Sequence, residues 1–388
     1  MPIYMRLAFL TVVSLLSYGL HSYLFSRVQH MLTEAATSLP PAVVAAAKGD
    51  ALWPVVTLSA LTLSYFAIGS LLHPRTFRAL AWISGGWMGA MTLLCVWGAV
   101  HQLLSLIAQL LGVSLPAELG VAGLGVAALL WALGLANVLR PPALKEVSVP
   151  LKELPAELHG LRIAQLSDVH VGPTVGRAFM ERIVARTNAL KPDLIVITGD
   201  LVDGDVEMLR RDVAPIFELT APLGVYFITG NHELISGVDP WVAHIREGGI
   251  TVLENEHQVL THNDALVNLV GVEDRDSARF HPDRRPNLDQ ALAGADTELT
   301  TILLAHQPKA VREAAIRGID LQLSGHTHGG QMIPLTWLIY LDQPWRSGLY
   351  QVRGTTLYVN EGTGYWGPPI RIGTRSELTL LTLEGAAP

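Results

Sequence analysis

Four long apolar runs dominate the first 140 residues, and none of them contains Asp, Glu, Lys or Arg. They cover residues 7–25, 51–72, 79–100 and 119–139. A helix needs about 20 mostly apolar residues to cross the hydrocarbon core of a bilayer, and each run reaches that length. None shows the polar stripe of a soluble amphipathic helix. We therefore predict an all-α transmembrane domain at 1–140, with four helices at about these positions.

The first run allows a second interpretation, a cleaved secretory signal peptide. The segment before the run is short and has Arg6 as its one basic residue. The nearest stretch of small residues, AAAKGD at 45–50, lies well beyond the usual cleavage distance. Because three more apolar runs follow, we favour a retained membrane helix.

Charge is unevenly divided along the chain. Residues 1–150 hold seven basic and four acidic residues, whereas 151–388 hold 20 basic and 30 acidic residues. This division excludes a single soluble domain and a disordered chain. The acidic second half argues against binding of a nucleic acid polymer, which favours a basic surface. Cys95 is the only cysteine, so an internal disulfide and a multi-cysteine metal site are excluded.

Basic residues near the ends of the runs predict the orientation, because cytoplasmic loops are enriched in Lys and Arg. They are densest before the first run, between the second and third runs, and after the fourth, at Arg6, Arg75, Arg78, Arg140 and Lys145. We predict a multi-pass protein of a bacterial inner membrane whose C-terminal domain lies in the cytoplasm. The proline-containing stretch 141–151 predicts a stiff linker before that domain, which covers 152–388.

Five short β-rich segments of the second domain each end in a polar turn. They are LRIAQLSD (161–168), DLIVITGD (193–200), GVYFITGNH (224–232), TILLAHQ (301–307) and IDLQLSGHTH (319–328). Helix-like stretches at 177–189 and 206–219 separate the first three segments. In α/β sheets, ligands bind beyond the carboxyl ends of the strands. We predict an α/β fold in which two sheets form a β-sandwich flanked by helices.

Residues with metal-binding side chains collect at these strand ends. They are Asp168, His170, Asp200, Asn231, His232, His306, His326 and His328. Carboxylate, imidazole and amide donors suit Mn, Fe, Zn or a similar divalent ion. Some motifs alone have a plainer interpretation, since the Asp of TGD could cap a helix and His306 could be structural, whereas GNHE and GHTH are stronger signals. The five motifs together predict a metal site, and one carboxylate shared by two ions would make it a two-metal site.

The ordered series SDVH, GDLVD, GNHE, LLAHQP and GHTHGGQ resembles the calcineurin-like metallophosphoesterase superfamily over about residues 160–385. The stretches LHGLRIAQLSDVHVG and GTGYWGPPIRIGTRSELTLLTL resemble its membrane-associated phosphodiesterase branch. That branch includes a bacterial enzyme that cleaves UDP-2,3-diacylglucosamine in lipid A synthesis. The resemblance implies a hydrolase of phosphoric ester or anhydride bonds with two divalent metal ions, which would be Mn, Fe, Zn or Mg.

The resemblance also implies roles for the motif residues. One ion would be held by Asp168, His170, Asp200 and His328. The other would be held by Asp200, Asn231, His306 and His326. His232 is not a ligand in the family pattern and would stabilise the transition state or protonate the leaving oxygen. Asp203 would orient His232 or a ligand, or is a plain turn residue before Gly204. Glu233 would support the ligands or is simply solvated.

The motifs leave the substrate open. Trp366 could stack on a base or sugar and Arg371 could pair with a phosphate, or both belong to a structural turn. The apolar stretch at 337–349 could be core or a surface that contacts lipid. Our leading hypothesis is a membrane-bound phosphoesterase that cleaves a lipid-linked phosphodiester or pyrophosphate by attack of a metal-bridging hydroxide.

Three alternatives remain from the sequence. The same site could act on a soluble nucleotide or on a phosphoprotein. A non-catalytic membrane scaffold that keeps the metal fold is a further alternative. A transporter is disfavoured, because the apolar runs contain almost no ionisable residues, which usually mark ion paths.

Overall fold

The structure, a computed structural model, describes residues 3–50, 52–68 and 71–385. It consists of two compact units. The first comprises Met1–Leu139 and the short segment Gly367–Ile370. The second comprises Arg140–Trp366 and Arg371–Pro388.

The first unit is helical, as the apolar runs predict. Its helices are α1 (Ile3–Glu34), α2 (Pro41–Ala47), α3 (Leu52–Ala67), α4 (Pro74–Leu110) and α5 (Glu118–Leu139). Three helices in the described part of the chain are long and apolar enough to cross a membrane, namely Leu7–Glu34 within α1, and the whole of α4 and α5. Helix α4 continues well beyond the predicted third run and includes 101–110.

The predicted set of four membrane helices is not confirmed, because the second apolar run forms a shorter helix. Helix α3 has 16 residues, which at 1.5 Å per residue gives about 24 Å, against about 30 Å of hydrocarbon. After Ala67 the chain turns, and the N–H groups of Leu71 and Leu72 both donate to the Ala67 carbonyl. A hydropathy count includes these last apolar residues although they lie outside the helix.

Tryptophan indoles tie the helices of the first unit together. Trp97 Nε1 donates to the carbonyl of Gly120 at 3.0 Å, and Trp131 Nε1 donates to the carbonyl of Gly86 at 2.7 Å. A Cβ on Gly123 would lie 1.9 Å from the Trp97 ring. The ring therefore lies against glycine backbone, as small residues permit in membrane helix packing.

The second unit contains twelve strands within the described residues. In chain order they are β1 (Ala143–Leu151), β2 (Arg162–Leu166), β3 (Leu194–Thr198), β4 (Val225–Ile228), β5 (Thr251–Val252), β6 (Glu256–His262), β7 (Ala265–Gly271), β8 (Thr301–Leu304), β9 (Leu321–Ser324), β10 (Gly348–Val352), β11 (Thr355–Val359) and β12 (Glu377–Gly385). One sheet has the order β1-β12-β2-β3-β4-β5 and the other has the order β10-β11-β9-β8-β7-β6. The predicted two-sheet α/β fold is confirmed.

Helices of the second unit lie between the strands in sequence. They are α6 (Arg177–Ala189), α7 (Val206–Val213), α8 (Asn231–Ser236), α9 (Val238–Glu247), α10 (Ser277–Phe280), α11 (Leu288–Ala291) and α12 (Val311–Ile316). The stretch predicted as a helix at 206–219 is α7 followed by a 3₁₀ turn at Ala214–Glu218. Pro215 explains the break, since proline lacks the N–H that a continuing α-helix needs.

The stretch predicted as a linker at 141–151 differs from that prediction. Most of it is strand β1, which pairs in parallel with β12 from Ala143 to Leu151. Val149 and Leu151 are buried in the core of the unit. Pro150 is tolerated because β1 is an edge strand. Prolines there indicated an extended backbone, but the pairing partner lies more than 230 residues away in sequence.

Parallel strands bring the polar turns to common edges. Strands β2, β3 and β4 are parallel neighbours in one sheet, and β8 and β9 are parallel neighbours in the other. Apolar side chains from both sheets fill one buried core, including Val196, Ile302 and Leu323. Rigid, fully buried strands therefore hold the loops that follow them.

Candidate metal centre

The predicted ligands lie in the loops directly after these five strands, and the structure brings them together. Carboxylate and imidazole atoms of Asp168, His170 and His328 lie within 4.8 Å of one another. A second group with the same spacing consists of Asp200, His306 and His326. A third group with this spacing consists of His170, Asp203 and His232.

The first group is formed by the loops after β2 and β9. His170 Nε2 lies 3.0 Å from His328 Nε2, and His328 Nε2 lies 3.5 Å from Asp168 Oδ1. The backbone N–H of His326 donates to both carboxylate oxygens of Asp168 at 3.0 Å. Asp168 is fully buried. The backbone N–H of His326 therefore fixes a carboxylate that lies close to both imidazoles.

The second group joins loops from both sheets. His306 Nε2 lies 3.1 Å from Asp200 Oδ2 and 3.2 Å from the amide oxygen of Asn231. His326 Nδ1 lies 3.2 Å from the same nitrogen of His306. Asn231 is thus brought to this group, as its place in the GNHE motif predicts.

The hydrogen bonds of two histidines fit metal ligation. His170 Nδ1 lies 3.0 Å from a carboxylate oxygen of Asp203, and His306 Nδ1 lies 2.8 Å from the Thr198 carbonyl. Both partners only accept hydrogen bonds, so each Nδ1 carries a proton and Nε2 is the ring nitrogen that faces the other candidate ligands. Metal-ligating histidines are held in this way. The donor set therefore fits divalent ions.

Backbone strain is concentrated at the same residues. Left-handed φ angles, between 50° and 70°, occur at Asp168, His170, Asp200, His326 and His328. This conformation is uncommon for residues with a Cβ and costs about 1–3 kcal/mol each. Strain of this kind persists where the surrounding structure enforces it, and it clusters at functional sites.

Two glycines allow the ligand loops to approach each other closely. A Cβ on Gly325 would lie 1.9 Å from Ser167 Oγ and 2.1 Å from Asp168 Oδ2. A Cβ on Gly230 would lie 2.2 Å from Asp200 Oδ1. Larger residues at these positions would displace a ligand carboxylate in each group.

Asp203 links His170 to the predicted catalytic histidine. One of its carboxylate oxygens lies 3.0 Å from His170 Nδ1 and 2.6 Å from His232 Nδ1. The other nitrogen of His232, Nε2, lies 4.0 Å from Asp200 Oδ2. Burial alone would lower the pKa of His232, but the carboxylates of Asp200 and Asp203 raise it to about 10. The ring is therefore cationic at neutral pH.

Neighbouring charges lower the pKa values of two candidate ligands. Burial would raise the pKa of Asp200, but His306 and His232 hold it well below its usual range. Burial and His306 lower the pKa of His326 to about 4. His326 is therefore neutral at pH 7 and has a lone pair for an ion, while the Asp200 carboxylate is ionised. Both are the forms that bind metal.

Glu233 has a role that sequence reasoning left open. Its buried carboxylate accepts hydrogen bonds from the backbone N–H groups of Asp200, Leu201, Val202 and Gly230. Burial and Asp200 raise its pKa to about 7, against the lowering effect of these donors. The spacing from Gly230 to Glu233 is that of a capping box, which was the available sequence signal.

Two further predicted residues lie in different surroundings. Trp366 is 54% exposed, and its ring centroid lies 5.8 Å from that of His232. Arg371 is 1% exposed and donates to the carbonyls of His328, Glu361 and Gly364. Substrate binding by either residue stays a prediction. For Arg371 this geometry favours holding the loops together, since its donors already bind backbone oxygens.

Comparison with known proteins identifies the class to which this fold and site belong. Residues 161–330 match the calcineurin-like phosphoesterase family. Relatives extend the similarity to nearly the whole chain. A protein of Danio rerio named transmembrane protein with metallophosphoesterase domain is 37% identical, with 94% of this chain and 86% of the relative covered. The chain therefore belongs to the calcineurin-like phosphoesterase family and is a metal-dependent phosphoester hydrolase.

Two other relatives show where the similarity is broad and where it is confined. A Bos taurus protein of the same name is 38% identical over 86% of this chain and 81% of its own. An uncharacterized metallophosphoesterase of Helicobacter pylori is 39% identical over 62% of this chain and 64% of its own. The two relatives named transmembrane proteins thus share most of the chain, in agreement with membrane association of this protein.

Proposed function

We propose that the protein is a membrane-bound, two-metal phosphoesterase that cleaves a phosphodiester or pyrophosphate bond of a lipid-linked substrate. The observation that supports it best is the convergence of two ligand groups beside one buried carboxylate, Asp200. Its Oδ2 atom lies 3.1 Å from His306 Nε2, and its backbone position follows β3, between the loops of β2 and β4.

In this proposal the ligand sets are those of the family pattern. Asp168, His170, Asp200 and His328 would hold one ion, and Asp200, Asn231, His306 and His326 would hold the other. Bound divalent ions, whether Mn, Fe, Zn or Mg, would polarise the phosphoryl oxygens and supply a nucleophilic water at neutral pH. Asp200 would contribute to both positions.

His232 and Asp203 would handle the leaving group. Asp203 accepts the Nδ1 proton of His232 at 2.6 Å, which directs Nε2 toward the ligand groups. A cationic His232 can donate that Nε2 proton to the departing oxygen, and its charge can stabilise the phosphoryl group in the transition state. Asp203 acts through His232 and is therefore a positioning residue.

The lipid-linked substrate is proposed from the membrane helices. One apolar helix would suffice to anchor a soluble enzyme, but three in the described chain are long enough to span a bilayer. An enzyme held at the bilayer meets amphiphilic phosphates at high local concentration. A panel of lipid-linked and soluble phosphate esters, assayed on detergent-solubilised protein with Mn²⁺, Mg²⁺ and Zn²⁺, tests this proposal. Preference for a soluble nucleotide or phosphoprotein would replace the lipid assignment.

The metal assignment has a separate test. Asn231→Ala and His326→Ala should abolish turnover and lower the bound metal while the protein stays folded. His262→Ala is the matched control, since His262 lies on β6 and bonds to Asn263 rather than to any ligand. Retained activity in either site variant would refute the assignment, and wild-type protein without bound metal or turnover would favour a scaffold.

We also propose four membrane crossings with the catalytic unit in the cytoplasm. Helix α3 carries no charged residue, and local thinning of the bilayer can accommodate a short apolar helix. The basic residues Arg75, Arg78 and Arg140 support the orientation. Reporters fused to the two termini should both be cytoplasmic. Reporters on opposite sides would indicate three crossings, and an extracytoplasmic C-terminal reporter would overturn the orientation.

A further inference from the structure

An exposed apolar segment follows the GHTH turn of the second unit. Residues 331–341, QMIPLTWLIYL, contain no charged residue. Large apolar side chains at five positions are exposed, namely Ile333, Trp337, Leu338, Tyr340 and Leu341. Leu341 is 85% exposed. Clusters of this kind on a protein surface mark contact with a partner or a membrane.

The segment is anchored on one side and presents its apolar side chains on the other. It forms a 3₁₀ helix at Leu335–Leu341. Thr336 is buried and its N–H donates to the Met332 carbonyl at 2.9 Å. Gly330 has a left-handed φ of 82°, and a Cβ there would lie 2.5 Å from Thr336 Cα. The exposure is therefore a property of a packed helix and not of a loose loop.

The segment begins beside the candidate metal centre. Gln331 Nε2 donates to the Trp366 carbonyl at 2.8 Å, and the Trp366 N–H donates to Gln331 Oε1 at 3.0 Å. This pair of bonds fixes the backbone of Trp366, whose ring is near His232. The segment therefore starts at a buried residue that is bonded to Trp366, and its exposed apolar side chains begin two residues later, at Ile333.

The acidic residue that directly follows the segment is neutralised by a cation, so it does not oppose contact with a lipid surface. That residue, Asp342, is paired with Lys309. Arg312 lies 5.6 Å from the ring centre of Trp345, over its face. Trp and Tyr, which have an apolar ring and a polar group, are enriched at membrane interfaces. The same chain carries the membrane-capable helices, so lipid is the apolar partner that is always within reach of this unit.

We propose that residues 333–341 form a membrane-contact surface that enters the boundary between headgroups and acyl chains and presents the metal centre to lipids. This inference deepens the proposed function and rests on the protein being membrane-bound. The partner that we propose for this surface is the bilayer itself. Binding of a second copy of the chain is the alternative that the experiments can reveal.

The surface can be tested without measuring turnover. In the full chain with Cys95→Ser, a single cysteine replaces Leu338 or Leu341 and carries an environment-sensitive fluorophore. Ile316→Cys is the matched control, because Ile316 is also exposed, at 69%, but lies at the end of α12. The proteins are reconstituted into phosphatidylcholine and phosphatidylglycerol vesicles with or without doxyl-labelled lipid.

Membrane contact predicts blue-shifted emission and strong quenching at positions 338 and 341, but not at 316. Equal emission and quenching at all three positions would overturn the proposal. So would cross-linking between copies through position 338 or 341 without lipid quenching. Because the readout is fluorescence, it separates failure of this surface from failure of the phosphoesterase assignment.

A kinetic experiment adds a functional readout. Leu338→Asp and Leu341→Asp should raise the KM for a phosphate ester embedded in the same vesicles by about tenfold, the scale of losing one buried leucine. Hydrolysis of water-soluble bis(p-nitrophenyl) phosphate should be unchanged. Ile316→Asp serves as the control and should change neither substrate. Equal losses on both substrates would contradict a selective role at the lipid surface.

Discussion

Substitution of Asp203 by asparagine separates orientation from charge at the candidate centre. The carboxylate holds two imidazoles through one oxygen, at 3.0 Å from His170 Nδ1 and 2.6 Å from His232 Nδ1. Asparagine is nearly the same size and keeps an oxygen that can accept these hydrogen bonds. It removes one of the negative charges that, with Asp200, raise the pKa of His232. We therefore expect a folded protein whose general acid is impaired.

The expected loss of activity can be estimated from the hydrogen bonds of Asp203 to His170 and His232. Loss of a partner that orients a ligand typically costs about 10–100-fold in metal affinity or activity. Loss of general acid catalysis costs about 10²–10⁴-fold. At saturating metal concentration the loss of metal affinity no longer matters, because the metal sites are filled. The loss of general acid catalysis remains. We expect kcat for an alkyl phosphodiester to fall by about 10²-fold or more.

The leaving group provides the decisive measurement. An alkoxide needs a proton as it departs, whereas p-nitrophenolate departs without one. Asp203→Asn should therefore lose much more activity on an alkyl ester than on the matching p-nitrophenyl ester, both measured as kcat at saturating metal. Equal losses on the two esters would refute the proton-donor role of His232, and unchanged activity on both would refute the role of Asp203 altogether. His262→Ala should match the wild type.

Three further predictions address the scaffold of the site. Gly325→Ala would place a Cβ 1.9 Å from Ser167 Oγ. Bound metal per chain, measured by elemental analysis, should therefore fall, whereas Gly125→Ala, in open space, should retain it. Glu233→Gln replaces one of two oxygens that accept from backbone N–H groups by an NH₂ donor, so buried N–H groups lose their acceptor. The free energy of unfolding should fall by about 1–3 kcal/mol in urea titrations, and an unchanged midpoint would contradict this. Chelation of the metal should abolish turnover and lower Tm, because the ions bind the folded state. Added Mn²⁺ or Zn²⁺ should restore both. Activity that survives chelation would argue against metal dependence.

The proximity of the candidate ligand residues was predictable because each occupies a local sequence motif at a strand end. Parallel strands bring their carboxyl ends to one edge, so the order of motifs along the chain already places Asp168, Asp200 and Asn231 side by side. The partners of these residues were not predictable. The backbone carbonyl of Thr198 accepts a hydrogen bond from His306 Nδ1, although the two residues are 108 positions apart in sequence. No local sequence pattern marks a backbone carbonyl as such a partner.

Composition predicted the type of backbone structure in two segments but not where a helix ends or which strand pairs with which, because tertiary contacts decide both. Apolar length predicted helices in the first unit but not the early end of α3 at Ala67. Three prolines predicted an extended backbone between 141 and 151, but they carried no information about pairing with β12. The apolar content of a run does not determine where its helix ends, and the residues of 141–151 do not specify a pairing partner far along the chain.

The arrangement of Arg371 and Trp366 narrows the chemistry that substrate recognition can use. A second phosphate on the substrate would need a cation with available donors near the centre. The guanidinium of Arg371 is buried and already donates to the carbonyls of His328, Glu361 and Gly364. Trp366, by contrast, is exposed beside His232, and Gln331 holds its backbone. Of these two residues, the one that can contact a substrate next to the scissile bond is therefore an aromatic ring, which suits an apolar or aromatic group better than a second anion.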